Sequence, residues 1–112
     1  MKKRDDKKKS RKSERIIEDE SFTLQKSKGN GILRRQIWVD NDDKVTRYSL
    51  TYINHHLHSG DNGRVLGYDN AHGYHHKHYM GKVEPIDFVS FTEIEERFQQ
   101  EFEVIHEKFR KK

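Results

Sequence analysis

A chain of 112 residues without cysteine has room for one modest hydrophobic core, and it can form neither a disulfide framework nor a thiolate metal site or nucleophile. Charged residues make up 38% of the sequence and hydrophobic residues only 30%, a balance that predicts an unfolded segment beside the core. The sequence contains no long apolar run, so we expect neither a membrane span nor a secretory signal and predict a cytoplasmic protein.

The net charge of +4 is concentrated at the N-terminus. Residues 1–15 carry nine lysine or arginine side chains and three acidic ones, whereas residues 16–112 carry fourteen and sixteen. We predict that residues 1–14 form a disordered basic tail and that residues 15–112 form a single domain. A basic tail binds polyanions without sequence specificity. We interpret this one as a solvated extension, so the charge alone does not indicate a nucleic-acid-binding domain.

Apolar and polar residues alternate through much of the region between residues 16 and 69, which is typical of strands with one buried face. Clusters of Asp, Asn and Gly interrupt the alternation and predict turns. Asn62-Gly63 is the strongest turn signal, because both residue types tolerate positive φ in a hairpin. The predicted strands are a short edge strand within residues 16–26, then residues 32–39, 44–58 and 64–69. Residues 70–81 show no clear period and are predicted to be a loop.

The C-terminal segment has the periodicity of a helix. Six apolar residues are spaced by three and four, which brings them to one face: Phe91, Ile94, Phe98, Phe102, Ile105 and Phe109. Ser90 and Glu93 form a capping-box pattern at its start. We therefore predict an α+β fold in which a small antiparallel sheet of three to five strands, connected as a meander, packs against one long C-terminal helix.

Seven of the eight histidines lie between residues 55 and 78, in two groups. The first group belongs to the end of one predicted strand and the second follows the next strand. We expect the two groups at opposite ends of the hairpin and give more weight to the second. Their members are His55, His56 and His58 in the first, and His72, His75, His76 and His78 in the second.

Residues 64–78 contain the groups that RNA cleavage requires. Histidine titrates near neutral pH, so His76 and His78 can act as base for the 2′-hydroxyl and acid for the leaving oxygen. Lys77 or Arg64 can stabilise the charge of the transition state. Asp69 can orient an imidazole ring. On these grounds we predict a metal-independent endoribonuclease that needs no cofactor.

Other interpretations of the same stretch remain open. Asp69, His76 and His78 form a two-histidine, one-carboxylate set, so a metal-dependent nuclease is one alternative. A noncatalytic module that binds nucleic acid or protein on the sheet face is another. Asp69 and Asn70 are also ordinary turn residues, and exposed histidines in a loop can simply be solvated.

One protein family has a similar arrangement of residues. The sequence Arg64-Val65-Leu66-Gly67-Tyr68-Asp69-Asn70 is followed by Gly73, by His76-Lys77-His78, by Pro85 and Phe88, and by an amphipathic helix. This arrangement resembles the TumE family of toxins from toxin–antitoxin systems. The resemblance extends over residues 34–108, and its most specific part is residues 68–78.

The resemblance implies a bacterial or archaeal cytoplasmic toxin, made beside a cognate antitoxin that carries a helix-turn-helix DNA-binding domain. Toxins of this size commonly act on RNA. The functional residues that it implies are Tyr68, Asp69, Asn70, His76, Lys77 and His78. We predict that Asp69, His76, Lys77 and His78 are catalytic, and that Tyr68, Asn70 and Arg64 bind the RNA substrate, with Tyr68 stacking on a base. The wide phenylalanine stripe would also accommodate a homodimer or a docked antitoxin.

Overall fold

The alternating segments of the chain pair into one antiparallel sheet in the computed structural model, which describes residues 13–25 and 31–110. Within these residues the sheet has six strands, and their order in the sheet is their order in the chain. They are β1 (Arg15–Thr23), β2 (Ile32–Val39), β3 (Val45–Ile53), β4 (Arg64–Asp69), β5 (His76–Tyr79) and β6 (Lys82–Pro85), followed by the helix α1 (Phe91–Arg110). The α+β class and the meander are confirmed, whereas three to five strands is too few.

The two additional strands are β5, which lies inside the predicted loop, and β6. Each has four residues, so neither is long enough for an alternating pattern to stand out. Backbone pairing with β4 makes β5 a strand in spite of its histidines and lysine. Met80 and Gly81 join β5 to β6, and both have positive φ, 49° and 85°, as the central residues of a tight hairpin turn require.

Two predicted strands have different bounds in the structure. β3 ends at Ile53 rather than at residue 58, because Asn54 turns the chain and its Oδ1 accepts a hydrogen bond from the backbone N–H of His56. β1 has nine residues, so the first strand is longer than the short edge strand that was predicted. β1 pairs with β2 from Arg15 to Thr23, with one register shift between Ile16 and Glu18.

Part of the sequence prediction lies outside the described residues. This applies to residues 1–12 of the predicted tail and to residues 26–30 around the first predicted turn. Glu14, the last residue of the predicted tail, is bonded to β3. Its carboxylate accepts a hydrogen bond from Thr46 Oγ1 and pairs with Arg47.

One face of the sheet, here called the helix face, forms the core with α1. The buried residues on this face and on the helix are Tyr48, Leu50, Tyr52, Leu66, Tyr68, Ile94 and Phe102. The ring of Phe102 meets that of Tyr52 edge to face at 4.9 Å. At the start of α1, Ser90 Oγ accepts a hydrogen bond from the Glu93 N–H at 3.1 Å, which is an N-cap. Phe91, Phe98 and Phe102 of the apolar stripe therefore pack on the sheet, as predicted, while the side chain of Phe109 lies outside the described part of the chain.

The opposite face of the sheet, here called the open face, is not covered by α1. Two rows of residues cross this face, because β2 pairs with β3, β3 with β4, and β4 with β5. They are Gln36, Ser49, Asp69 and His76 in one row, and Arg34, Thr51, Gly67 and His78 in the other. Since side chains alternate along a strand, Tyr68 and Lys77 lie on the helix face.

α1 carries charged side chains along its length, and no helix in residues 13–25 and 31–110 could cross a membrane.

Candidate functional site

Asp69, His76 and His78 come together on the open face. Asp69 ends β4 and pairs directly with His76, the first residue of β5, while His78 pairs with Gly67. Oδ1 of Asp69 lies 2.9 Å from Nε2 of His76, and Oδ2 lies 3.2 Å from Nε2 of His78. One carboxylate therefore lies between two imidazoles, all three within a single hairpin.

The ring of His76 is fixed on both sides. Its Nδ1 lies 3.1 Å from the backbone oxygen of Tyr74, and because a carbonyl oxygen can only accept, Nδ1 carries the proton. This leaves Nε2 directed at Asp69. The ring of Tyr74 packs over His76 with their centroids 4.6 Å apart, and only 3% of His76 is exposed.

His78 is the less satisfied of the two histidines. The residue is 8% exposed, and neither ring nitrogen meets a hydrogen-bond partner among the described residues. Its Nε2 is near Asp69 without the alignment of a hydrogen bond, and its Nδ1 is 3.9 Å from Oδ2 of Asp61. Burial, assisted by the nearby Arg64, lowers the pKa of His78, which favours the neutral ring.

Arg64 supplies positive charge beside this cluster. Its guanidinium forms two hydrogen bonds with the carboxylate of Asp61, at 2.9 and 3.1 Å, and lies 3.7 Å from Oδ2 of Asp69. The hydrogen bonds from Arg64 lower the pKa of Asp61. A Cβ on Gly67 would come within 2.8 Å of the Arg64 side chain, so glycine gives this side chain the room to cross β4.

Lys77 does not join the predicted catalytic group. It lies between His76 and His78 in sequence, but the strand directs it to the helix face, where Nζ bonds Glu101 of α1 at 3.1 Å. In this structure Lys77 therefore lies on the other side of the sheet from the histidines, and its catalytic role stays a prediction. Arg64, the other cation considered, is the one on the open face.

Tyr68 and Asn70 are both engaged within the fold. Tyr68 is fully buried, its hydroxyl donates a hydrogen bond to Glu101 at 2.6 Å, and burial raises its pKa. Its ring is thus closed to a stacking base in this structure. The side-chain amide of Asn70 accepts from the N–H of Tyr48 and donates to the carbonyl of Thr46, which ties the end of β4 to β3.

The remaining histidines are distributed differently from the prediction. β5 folds back along β4, so His78 is brought toward the turn, whereas His76 stays opposite Asp69 at the far end of β4. His78 approaches Asp61 in the turn, and His58 lies close to Gly81 of the β5–β6 turn. His75 is held away from the cluster: its Nδ1 shares a hydrogen bond with the hydroxyl of Tyr48 at 2.9 Å, and its ring stacks on Phe88 at 3.9 Å.

Other side chains near the site were not predicted from the sequence. Asp61 lies in the Asn-Gly turn and was interpreted only as a turn residue, although its spacing of three from Arg64 is compatible with an ion pair. Trp38 and Arg47 pair across β2 and β3 on the open face, with the guanidinium 4.2 Å from the centre of the indole ring. The sequence does contain a signal for this pair: Trp38 and Arg47 each alternate with polar residues on two adjacent strands.

Fold and site together define a small α+β protein with a carboxylate-bridged histidine pair on the exposed face of its sheet. The family model described as Toxin TumE matches residues 5–109. The chain therefore belongs to the TumE family of toxins, and membership of a toxin family implies an antitoxin as partner. Comparison with curated proteins and with solved structures gave no match.

Proposed function

We propose that this toxin cleaves RNA at the cluster of Asp69, His76 and His78. The observation that supports this function is the convergence of these three polar side chains, two of them buried imidazoles, on a sheet face that the helix leaves uncovered. Burial of titratable groups is costly unless they are paired or used, and their concentration beside a surface accessible to substrate is typical of functional sites.

RNA contains its own nucleophile, which limits what the protein has to supply. The 2′-oxygen forms a bond to phosphorus while the bond from phosphorus to the 5′-oxygen breaks. The proton of the 2′-hydroxyl passes to a base, and the 5′-oxygen receives a proton, so the products are a 2′,3′-cyclic phosphate and a 5′-hydroxyl. Either an imidazole or a water molecule on a bound ion can transfer these protons.

Arg64 takes the role that the sequence had offered to either Arg64 or Lys77. The transition state carries negative charge on the equatorial phosphate oxygens, and a nearby guanidinium can form two parallel hydrogen bonds with such oxygens. The contacts of Arg64 with Asp61 and Asp69 keep it oriented beside the cluster. Asn70 contributes indirectly, because its bonds to β3 hold the end of β4 that carries Asp69.

The open face also offers groups that suit single-stranded RNA. Arg34 and Arg47 belong to neighbouring strands of this face, and about half of each side chain is exposed. Trp38 lies next to Arg47 and provides an aromatic surface. Cationic side chains combined with an aromatic ring bind unpaired nucleotides through phosphate contacts and stacking. We propose that the RNA runs across this face into the histidine cluster.

The partners belong to the same proposal. A toxin that cleaves RNA would act in the cytoplasm and would be held inactive there by its antitoxin, which we propose carries a helix-turn-helix domain. The exposed side of α1, where Val104 is 57% exposed beside several acidic residues, is the surface that we propose for this partner or for a second copy of the chain.

The test uses purified full-length protein and a short single-stranded RNA labelled at both ends. The unaltered chain should produce cyclic-phosphate products, and Asp69→Asn, His76→Ala and His78→Ala should each lower the rate by about 10²- to 10⁴-fold. His56→Ala is the matched control, because this histidine is exposed and distant from the cluster in the chain; its rate should be unchanged.

The same variants can be tested in cells by expressing each of them without the antitoxin. The unaltered chain and His56→Ala should arrest growth, and the three cluster variants should not. If the purified protein leaves RNA intact, or if all three cluster variants keep full activity, RNA cleavage at this site is wrong.

A further inference from the structure

We infer that Asp69, His76 and His78 bind a divalent transition-metal ion, with one carboxylate oxygen and the Nε2 atoms of both histidines as ligands. The use of this ion in RNA cleavage rests on the proposed function, whereas binding of the ion does not. The three side chains are the one group of this kind in the described part of the chain, and their ligand atoms lie within 4.8 Å of one another.

The spacing of the ligand atoms supports the ion. In zinc sites a histidine nitrogen and a carboxylate oxygen each lie about 2.0–2.2 Å from the metal, so two neighbouring ligand atoms in tetrahedral geometry are about 3.3–3.6 Å apart. The Nε2 atoms of His76 and His78 lie 2.9 and 3.2 Å from the two oxygens of Asp69. His76 approaches Oδ1 and His78 approaches Oδ2, so an ion held through one of these oxygens requires small shifts of side chains whose ligand atoms already lie within 4.8 Å of one another.

The second contact of His76 is one that metal-binding histidines commonly make. A ligating imidazole usually donates its other N–H to a backbone carbonyl or a carboxylate, which fixes the tautomer and the direction of the free nitrogen. In His76 the Nδ1–H donates to the carbonyl of Tyr74, so Nε2 is the ring nitrogen that faces Asp69.

His78 provides the independent observation. More than nine-tenths of this residue is buried, yet its ring nitrogens meet no hydrogen-bond partner among the described residues. Its Nε2 lies 3.2 Å from Oδ2 of Asp69 without forming a hydrogen bond, and an ion between the two side chains would give this nitrogen a partner. Its Nδ1 is 3.9 Å from Asp61, a carboxylate suited to an outer-shell partner.

A proton shared between His76 and Asp69 accounts for less of this geometry. Such an ion pair would explain the 2.9 Å contact and would leave the buried Nε2 of His78 without a partner. A single ion satisfies both imidazoles and the carboxylate together. It also explains why all three point to the same place from one hairpin.

The ligand set indicates the class of metal. Two imidazoles and a carboxylate suit zinc, manganese, iron, cobalt or nickel better than magnesium or calcium, which prefer oxygen ligands. Three protein ligands leave a position open for water or for a phosphate oxygen of RNA. Arg64 lies 3.7 Å from Oδ2 of Asp69, so a phosphate bound to such an ion could also contact this guanidinium.

In the test, zinc chloride is titrated into untagged full-length protein that has been stripped of metal with a chelator. Isothermal titration calorimetry measures the binding. One ion should bind per chain, and affinity should fall by at least about tenfold in Asp69→Asn and in His78→Ala. His56→Ala should bind as the unaltered chain does. Long-range ¹H–¹⁵N spectra should show zinc-dependent shifts at Nε2, not Nδ1, of both His76 and His78.

Three results would overturn the inference: no zinc binding, equal binding by the unaltered chain and the cluster variants, or shifts confined to other histidines. Circular dichroism of each variant shows whether it is folded, and Asp69→Asn preserves the side-chain shape if His78→Ala does not fold. RNA cleavage is measured separately, with and without chelator. Zinc binding without RNA cleavage would support the metal site and refute only the proposed ribonuclease activity.

Discussion

His76, Lys77 and His78 show how three adjacent residues can serve two different sites. The two histidines project from β5 to the open face and converge on Asp69, while the lysine projects to the helix face and bonds Glu101. The sequence motif suggested one combined group of acid, base and cation. The strand separates its middle residue from the other two, so the cation of the proposed site has to come from Arg64.

This assignment predicts different outcomes for two charge-neutralising substitutions. Arg64→Gln should lower the rate of RNA cleavage by about 10²- to 10³-fold, because it removes a donor to the developing negative charge. Lys77→Gln should leave the rate within about threefold, since its partner is on the other side of the sheet. Single-turnover cleavage of the short RNA measures both, and a larger loss in Lys77→Gln than in Arg64→Gln would contradict the assignment.

The identity of the site residues could be predicted better than their grouping. Asp69, His76 and His78 were selected from residue chemistry and family resemblance, and the structure brings these three together. Lys77 could not be separated from them, because β5 was not recognised and the alternation of side chains was therefore not applied. Tyr68 and Asn70 were interpreted as substrate contacts, although burial directs one into the core and hydrogen bonds join the other to β3.

At the scale of secondary structure, length decided which elements could be predicted. The 20 residues of α1 and the eight of β2 give each pattern enough repeats to be recognised. β5 and β6 have four residues each, and their pairing depends on neighbouring backbone rather than on their own composition. The site lies on β5, so its geometry depends on an element that the sequence pattern did not reveal.

The contribution of α1 to stability can be measured with two substitutions on the same helix. Phe102 is 8% exposed and packs edge to face on Tyr52, so Phe102→Ala should lower the free energy of unfolding by about 3–5 kcal/mol. Val104 is largely exposed, so Val104→Ala should change the free energy of unfolding by less than about 0.5 kcal/mol. Urea unfolding followed by circular dichroism measures both, and similar losses would show that the helix is not packed as described.

At the scale of the whole molecule, charge differs between the two sides. α1 carries six glutamates against three basic residues, whereas Arg34, Arg47 and Arg64 cross the open face from β2 to β4. Each of these arginines is paired with a carboxylate, Arg34 with Asp19, Arg47 with Glu14 and Arg64 with Asp61, so a bound polyanion would have to replace these partners with its phosphates. The net positive charge of the chain belongs mostly to its first 15 residues, so this local distribution is the more informative quantity.

The distribution predicts how RNA binding responds to salt. In Asp69→Asn protein, which should bind RNA without cutting it, replacing Arg34 or Arg47 by glutamine should weaken binding. Each change should also reduce the slope of log affinity against log salt by about one. Lys108→Gln, on the exposed part of α1, should leave the slope unchanged. Fluorescence anisotropy over a range of salt concentrations measures the slope, and equal effects of all three substitutions would place the contacts outside the open face.

The short connection between β4 and β5 has a consequence for how such a protein can vary. Residues 70–75 determine which side chains of β5 face Asp69, and pairing sets His76 opposite it. If one residue were inserted there and β5 kept its pairing positions, every side chain of the strand would change face. Lysine would then point toward the carboxylate and both histidines toward the helix. A shift of β5 along β4 by one residue would therefore take both histidines away from Asp69, so the length of this connection is as much a determinant of the site as the histidines are.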